Sequence, residues 1–141
     1  MEKYMNANIV FSKFSRDYMA LKKDLPIRPS EMAVINIITK REGDFTPLAI
    51  AELLGVSKPM IAAHIQALLK KGYICKEASG VDKRSFFVRP TEKAQTLADK
   101  FEKKQNEHLK TIEETLGEYE FSELIRLLDK TQSILDKMKE N

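Results

Sequence analysis

Apolar residues recur at intervals of three and four through the middle of the chain, a pattern that predicts amphipathic helices. Thr46 is suited to cap the first of two central helices, because Pro47 follows it at a position that tolerates proline. Gly55 is suited to the left-handed residue that ends this helix, and Ser57 to the cap of the next one. The predicted apolar stripes are Leu48, Ala51 and Leu54 on the first helix and Ile61, Ile65 and Leu68 on the second. Two helices joined by so short a turn indicate a helix-turn-helix, whose second helix enters the major groove of DNA.

After these two helices, the pattern changes from helical spacing to two short runs of strand-forming residues. Residues 73–75 and 86–88 are the two runs, and the loop 79–84 between them is rich in turn-forming and basic residues. This arrangement predicts a β-hairpin with a basic tip, a wing, over residues 76–89.

Two helices are predicted before the central stretch. Residues 5–24 carry an apolar stripe, and the prolines at 26 and 29 separate this helix from the next. Ser30 is predicted to cap the second helix, which runs to about Arg41 with Val34, Ile35 and Ile38 facing inward. The stripe of the first helix consists of Phe11, Phe14, Tyr18 and Leu21.

Two more helices are predicted after the hairpin. Thr91 is suited to cap a helix that reaches about Leu116, which is long compared with the mean of about 11–12 residues. Gly117 breaks this helix, and a last helix is predicted from about Tyr119 to Lys139.

The first and last helices carry more apolar surface than a lobe built on the central stretch can cover. Exposed surface of this extent normally marks an interface. We therefore predict a twofold homodimer in which the terminal helices of two subunits interdigitate. The two recognition helices of such a dimer lie about one DNA turn (~34 Å) apart, so the predicted DNA site is an inverted repeat.

The composition is that of a folded protein. The chain has 141 residues, which suits one domain, and 43% of them are hydrophobic. No apolar run approaches the roughly 20 residues that span a bilayer, and the N-terminus lacks the layout of a signal peptide. We therefore expect a cytoplasmic protein that has no membrane partner. The single cysteine agrees with a reducing compartment.

The net charge of +3 is small, but positive charge is concentrated in one segment. Residues 57–90 carry seven Lys or Arg and two Asp or Glu, a net charge of +5. Residues 91–141 carry nine Lys or Arg and twelve Asp or Glu, a net charge of −3. A basic helix and hairpin are suited to the phosphates of duplex DNA.

The central stretch resembles the winged helix-turn-helix core of the MarR family of bacterial transcription regulators. With the flanking helices, the resemblance covers nearly the whole chain. It rests on the turn 53–58, the run 68–74, the loop residues Asp82, Lys83 and Arg84, and the segment 89–93.

This resemblance implies a mostly helical fold with a small hairpin wing, formed by one domain over residues 1–141. Residues 30–93 would form the winged-helix lobe, and residues 1–28 and 95–141 the helical dimerisation region. It also implies a repressor that occupies a promoter and is released by a small-molecule inducer. The inducer would bind where the dimer helices meet the lobe. The candidate pocket residues are Phe14, Tyr18, Met32 and Ile35, which would equally form an ordinary core.

The recognition helix, residues 57–71, is expected to present to DNA the residues that lie off its buried stripe. Gln66 can pair with adenine through its amide, and Ala62 or Ala63 can contact a thymine methyl group. The lysines are better suited to phosphates, which position the protein without specifying sequence. The predicted contact residues on this helix are Ser57, Lys58, Pro59, Ala62, Ala63, Gln66 and Lys70.

The recognition helix departs from the usual pattern of the family at three positions. Met60, Ala62 and Ala63 stand where relatives often show Thr, Thr and Arg. Fewer polar side chains mean fewer direct hydrogen bonds to bases. Either the helix reads sequence weakly, or recognition relies more on DNA shape and on the wing.

Arg84 is the strongest candidate in the wing, because an arginine at a hairpin tip fits a narrow, electronegative minor groove. Asp82 would be repelled by phosphates and is expected to hold Arg84 or the loop backbone in place. Such an Asp–Arg pair is what the resemblance to MarR proteins implies. Lys83 and Arg89 are predicted to add phosphate contacts.

Three further residues have chemistry of their own. His64 is expected to be a hydrogen-bonded histidine at the edge of the core, with a DNA contact as the alternative. His108 is distant in sequence and has no ligand cluster at metal-binding spacing, so no metal and no cofactor are predicted. Cys75 is expected to be a half-buried strand residue, although the neighbouring Lys76 would favour a reactive thiolate and hence redox sensing.

The sequence contains no recognisable catalytic motif, so an enzyme is not expected. The function predicted is a dimeric DNA-binding transcriptional regulator. The alternative is a winged-helix protein-interaction module, since alanines on the recognition face suit apolar contacts.

Overall fold

The computed structural model describes residues 1–21, 24–80 and 84–140, and within these ranges the chain forms six helices and one two-stranded sheet. The predicted fold class, mostly helical with a small hairpin wing, is confirmed. The chain divides into two compact units, Met1–Ala98 and Asp99–Asn141. In chain order the elements are α1 (Glu2–Ala20), α2 (Pro29–Lys40), α3 (Pro47–Leu54), α4 (Lys58–Lys70), β1 (Ile74–Ala78), β2 (Phe86–Pro90), α5 (Glu92–Leu116) and α6 (Glu118–Lys139).

The start of α2 differs from the prediction by two residues. Arg28, not Ser30, is the cap, and Pro29 is the first helical residue. The reason is Glu31, whose Oε1 accepts a hydrogen bond from the Arg28 backbone N–H at 3.0 Å. This carboxylate satisfies the backbone donor of the cap residue, and Pro29 is suited to the first helical position, so the helix begins before Ser30. The inward positions Val34, Ile35 and Ile38 are buried, as predicted.

The helix-turn-helix has both predicted caps. Thr46 Oγ1 accepts a hydrogen bond from the Ala49 N–H, and Ser57 Oγ accepts one from the Met60 N–H, each at 3.2 Å. Gly55 ends α3 in the left-handed conformation, with φ of 66°, where a side chain would be strained.

One part of the predicted core of α3 is wrong. Leu48 was expected on the buried stripe but is 49% exposed, whereas Ile50 is fully buried. Residues 48 and 50 lie about 200° apart around a helix, so they occupy opposite faces. On α4, Ile61, Ile65 and Leu68 are buried as predicted.

The hairpin is an antiparallel pair in which Ile74 lies opposite Pro90, and Cys75 lies opposite Arg89. Ile74 and Val88 are its buried residues. The Val88 N–H donates to the Phe45 carbonyl at 2.7 Å, which links β2 to the segment just before α3. The wing base is therefore joined directly to the start of the helix-turn-helix.

The helices at the two ends of the chain bury no residue among those described. Helix α1 ends at Ala20, earlier than the predicted residue 24, and all four residues of its predicted stripe are exposed or half-exposed. Helix α5 ends at Leu116 and helix α6 begins at Glu118. The break at Gly117 is therefore as predicted. Exposed apolar residues of α6 are Ile125, Leu127, Leu128, Ile134, Leu135 and Met138.

Among the described residues, no single helix is long and apolar enough to span a membrane. Helices α3 and α4 are long and apolar enough for a membrane span only when they are counted together, and they are bent by 115° relative to one another. Their most apolar residues, including Ile50, Ile61 and Leu68, lie in the core described above.

Candidate nucleic-acid interface

Helix α4 has one buried face and one open face. Every predicted contact residue from Ser57 to Lys70 is exposed to solvent. The buried stripe Ile61, Ile65 and Leu68 occupies the opposite side. Lys58 and Lys70 stand at the two ends of the open face, and Gln66 lies between them. The helix is therefore held by its apolar side and presents a surface with a cation near each end.

Side chains and backbone groups from two other helices hold the C-terminal end of α4. Lys71, the residue that follows the helix, donates from Nζ to the buried carboxylate of Glu31 at 3.1 Å. Its backbone carbonyl accepts a hydrogen bond from Lys93 Nζ at 2.7 Å. The Thr91 hydroxyl donates to the Gly72 carbonyl, also at 2.7 Å. Such donors satisfy carbonyls that a helix end leaves unpaired.

Glu31 carries the one buried charged side chain among the described residues, with 3% of its surface exposed. Burial by itself raises the pKa of a carboxyl group. The hydrogen bond from the Arg28 amide opposes this effect, as do the hydrogen bond and charge of Lys71, and the pKa of Glu31 is lowered overall. Glu31 is therefore an ionised anchor that joins the start of α2 to the end of α4.

In the wing, Arg84 is exposed, as a contact at the hairpin tip requires. Asp82 and Lys83 lie outside the described residues, so their predicted functions stay predictions. Lys76 lies above the Phe86 ring, with its Nζ 4.5 Å from the ring centre. The wing thus presents a basic group on β1 and another at its described end.

Arg89 has a different environment from the one that a phosphate contact suggests. Its Nη2 lies 2.7 Å from Asp44 Oδ1, and its Nε donates to a carboxylate oxygen of Glu77. The hydrogen bond with Glu77, followed by that with Asp44, raises the pKa of the Arg89 guanidinium. The guanidinium is therefore already engaged with two carboxylates of its own chain.

Two expectations about single residues are wrong. His64 was expected to be hydrogen-bonded at the core edge, but its Nε2 is shielded from solvent and has no hydrogen-bond partner among the described residues. Cys75 was expected to be half-buried, but it is exposed, because β1 buries only its first residue.

Within the described part of the chain, no group of three or more His, Cys, Asp or Glu side chains is arranged to hold a metal ion. His64 and Cys75 are therefore not parts of a larger ligand set there.

The candidate pocket residues have two different environments. Met32 and Ile35 are buried in the core of the lobe. Phe14 and Tyr18 lie on α1, where their rings stack with centres 5.7 Å apart and Phe14 is exposed. A shared pocket for these four residues stays a prediction.

Several residues that shape the interface were not predicted from the sequence. They are Glu31, Asp44, Lys71, Glu77 and Lys93, each of which holds α4 or the wing in place. Glu31 and Lys71 are 40 residues apart in the chain, so no local spacing indicates that they meet. Arg89 lies opposite Cys75, two residues from Glu77, so the pair Glu77 and Arg89 depends on the register of the hairpin.

Several solved structures have a fold similar to that of this chain. The structure of Streptococcus pneumoniae FabT in complex with DNA is 20% identical, with a TM-score of 0.87 over 96% of this chain and 99% of that one. A MarR protein from Peptoclostridium difficile DA00132 is 20% identical, with a TM-score of 0.78 over 94% and 88%. NadR in complex with 4-hydroxyphenylacetate is 18% identical, with a TM-score of 0.67 over 90% and 91%.

At these identities the structural similarities establish the fold. The sequence evidence is a match of residues 25–85 to the family model described as MarR family, a range that includes α2, the helix-turn-helix and β1. The match covers the segment whose caps, core and exposed face are described above. Residues 25–85 therefore match the MarR family model, and the described chain has the winged-helix fold of these solved structures.

Proposed function

We propose that this chain is a transcriptional regulator that binds duplex DNA through α4 and the wing. The observation that carries the proposal is the open face of α4, with its exposed lysines and Gln66, on a helix that is capped by Ser57 and anchored to α2 at its C-terminal end. A helix of this kind enters a major groove, with its lysines near phosphates and its central residues near base edges. Exposed Arg84 would reach the adjacent minor groove.

The proposed regulator is a homodimer. The apolar residues that α1 and α6 leave exposed are numerous enough to form an interface, and a second copy with the same residues is a partner of matching chemistry. Residues 1–28 and 95–141 would form this dimerisation region, and residues 30–93 the DNA-binding lobe. Twofold symmetry would set the two α4 helices about one DNA turn (~34 Å) apart, so the operator would be an inverted repeat.

Regulation is proposed to act through the separation of the two α4 helices. A relative of the same fold was solved with the small aromatic acid 4-hydroxyphenylacetate, which supports a small-molecule inducer here. Phe14, Tyr18, Met32 and Ile35 are the proposed lining residues. A shift of a few ångströms in helix spacing would end the match to one DNA turn and release a repressed promoter.

A second candidate function is a protein-interaction module. The observation that favours it is the apolar character of the open face of α4, where Met60 is 49% exposed and Ala62 and Ala63 are exposed beside it. Salt dependence separates the two functions, because phosphate contacts release counterions and apolar protein contacts do not.

The experiment that tests the proposal is selection of bound duplexes from a random DNA pool, followed by titration of a selected duplex. We expect an inverted repeat in the selected sequences. Affinity should fall by orders of magnitude between about 50 and 200 mM salt. A protein that selects no duplex at low salt would contradict the proposal and favour the interaction module.

A further inference from the structure

Between Lys58 and Lys70, the open face of α4 has one exposed side chain that can hydrogen-bond to a base, that of Gln66. Between Lys58 and Gln66 its exposed residues are Pro59, Met60, Ala62 and Ala63, all apolar. His64 is not part of this set, because it is only partly exposed and its Nε2 is shielded from solvent. The central part of the helix therefore offers methyl and methylene groups, with one amide at Gln66.

Base pairs differ in what they offer to such a surface. In the major groove, G·C pairs present only donors and acceptors, whereas A·T pairs also present the C5-methyl group of thymine. An apolar helix face leaves the polar groups of a G·C pair dehydrated and unpaired, but it can bury a thymine methyl group favourably. Gln66 can pair with the N6 and N7 atoms of adenine.

We propose that α4 reads A·T pairs in the major groove through thymine methyl groups, with Met60, Ala62 and Ala63 as the contacting surface. Gln66 supplies a single adenine contact at the end of that surface. This inference rests on the DNA-binding function proposed above and specifies its target: half-sites with consecutive A·T pairs beneath α4. The departures of this helix from the family pattern then determine specificity.

A preference for A·T pairs could also arise from Arg84 in a narrow minor groove, so the experiment must separate the two grooves. Replacing thymine by deoxyuridine removes the C5-methyl group and leaves the minor-groove edge unchanged. Replacing A·T by inosine·cytosine preserves the A·T pattern of the minor groove but presents the G·C pattern in the major groove. The two substitutions together isolate major-groove readout.

The test uses the 141-residue chain and a duplex obtained by selection, with single substitutions at each A·T pair of one half-site. Fluorescence anisotropy should show that deoxyuridine weakens binding about three- to fourfold at two or more adjacent positions, the effect of losing one buried methyl group. Inosine·cytosine at those positions should weaken binding further. Gln66→Ala is the matched variant, since it should abolish discrimination at one adenine and leave the deoxyuridine effects unchanged.

Equal affinity for thymine and deoxyuridine duplexes at every position would overturn the inference, as would selected half-sites rich in G·C. Both outcomes leave DNA binding itself intact. A protein that binds no selected duplex would instead refute the proposed function.

The contacts of Arg89 independently support a second inference, concerning the wing. Asp44 lies in the segment just before α3, and Glu77 lies on β1, so one guanidinium joins three parts of the lobe. Its carbon also lies 5.2 Å from the centre of the Phe87 ring. The hydrogen bond from the Val88 N–H to the Phe45 carbonyl ties the same strand to the same segment.

The local charge also argues against a phosphate contact. One guanidinium with two carboxylates carries a net charge of −1, so this cluster does not attract a phosphate. We infer that Arg89 is a positioning residue that fixes the base of the wing against the helix-turn-helix. The wing tip and α4 can then engage the same duplex together. This inference also rests on the proposed DNA binding.

Two variants distinguish positioning from phosphate contact. Arg89→Lys keeps the charge but has one nitrogen in place of the two that contact Asp44 and Glu77. Arg89→Gln removes the charge. If Arg89 positions the wing, both variants should weaken DNA binding by a similar factor, about three- to tenfold. The salt slope, which is the dependence of log affinity on log salt concentration, should stay that of the unmodified protein. If Arg89 contacts a phosphate, Arg89→Lys should bind nearly normally and Arg89→Gln should lower the salt slope by about one.

A double-mutant cycle with Arg84→Ala completes the test. Once the wing is no longer fixed, loss of Arg84 should cost less, so the Arg84→Ala and Arg89→Gln effects should be non-additive. Additive effects together with a reduced salt slope would overturn the inference. Melting temperatures measured for all variants would show whether any loss of binding reflects unfolding.

Discussion

The winged-helix lobe and the terminal helices use apolar residues in opposite ways. In the lobe, α2, α3 and α4 each bury apolar residues, and side chains such as Ile35 and Leu68 are completely enclosed. Helices α1 and α6 are as regular in sequence pattern, yet none of their described residues is buried. The lobe therefore completes its core within one chain, and the terminal helices carry surface that a second chain can cover.

The largest effect is expected in the core of the lobe. Leu68→Ala should lower the free energy of unfolding by about 2–5 kcal/mol, because it leaves a cavity at a fully buried position. The matched variant Leu127→Ala removes an exposed leucine of α6 and, at protein concentrations below the dimer dissociation constant, should change the free energy of unfolding by less than about 0.5 kcal/mol. Urea denaturation followed by circular dichroism measures both. Equal losses would contradict the distinction between the two regions.

The next largest effect is expected when charged residues are introduced on α6. Ile125→Glu combined with Leu128→Glu places two carboxylates on the exposed apolar surface of that helix. If this surface forms the dimer interface, the dimer dissociation constant should rise on the order of a hundredfold, since buried unpaired charge is costly. Sedimentation equilibrium measures the constant, and Lys130→Glu is the control on an exposed polar position. An unchanged dimer would place the interface elsewhere.

The wing allows a test of function without a change in stability. Arg84→Ala should weaken DNA binding at least about tenfold, because a minor-groove arginine supplies both charge and fit. The melting temperature should stay the same, since Arg84 is exposed. A gel-shift titration that shows unchanged affinity would refute the wing assignment.

A smaller effect is expected at the anchor of α4. The pKa of Glu31 is lowered from its ordinary value of 4.5, so its ionised form contributes stability above that pH, and the contribution is lost as pH falls through the lowered pKa. Glu31→Gln should reduce the free energy of unfolding by about 1 kcal/mol at neutral pH. The difference between the two proteins should shrink as pH falls from about 5 to 3. A difference independent of pH would mean that the charge of Glu31 does not matter.

Local chemistry explains why much of the lobe could be predicted. Thr46, Ser57 and Gly55 act on neighbours within three residues, and their capping follows from residue type alone. Leu48 shows the limit of periodicity in a helix of eight residues, where several faces fit a short apolar pattern. Ser30 is not the cap, because the helix begins at Pro29 and Glu31 accepts a hydrogen bond from the Arg28 N–H at its start.

The contacts that position the candidate site were not predictable, because they join residues far apart in the chain. Arg89 was interpreted from its charge as a phosphate contact, and its two carboxylate partners become visible only when Asp44 and β1 are placed beside it. The exposure of Cys75 depends on which way the face of β1 turns, and the shielding of His64 depends on which way the face of α4 turns. Residue type indicated what these side chains can do, and the fold determined what they contact.

The most direct test of the account concerns the spacing of the two halves of the operator. Affinity should be measured for the selected inverted repeat and for the same duplex with about 5 or about 10 base pairs inserted between its half-sites. If a dimer held by its terminal helices presents two α4 helices one DNA turn apart, both insertions should reduce affinity to that of a single half-site. Unchanged affinity for either altered duplex would contradict a fixed pair of recognition helices.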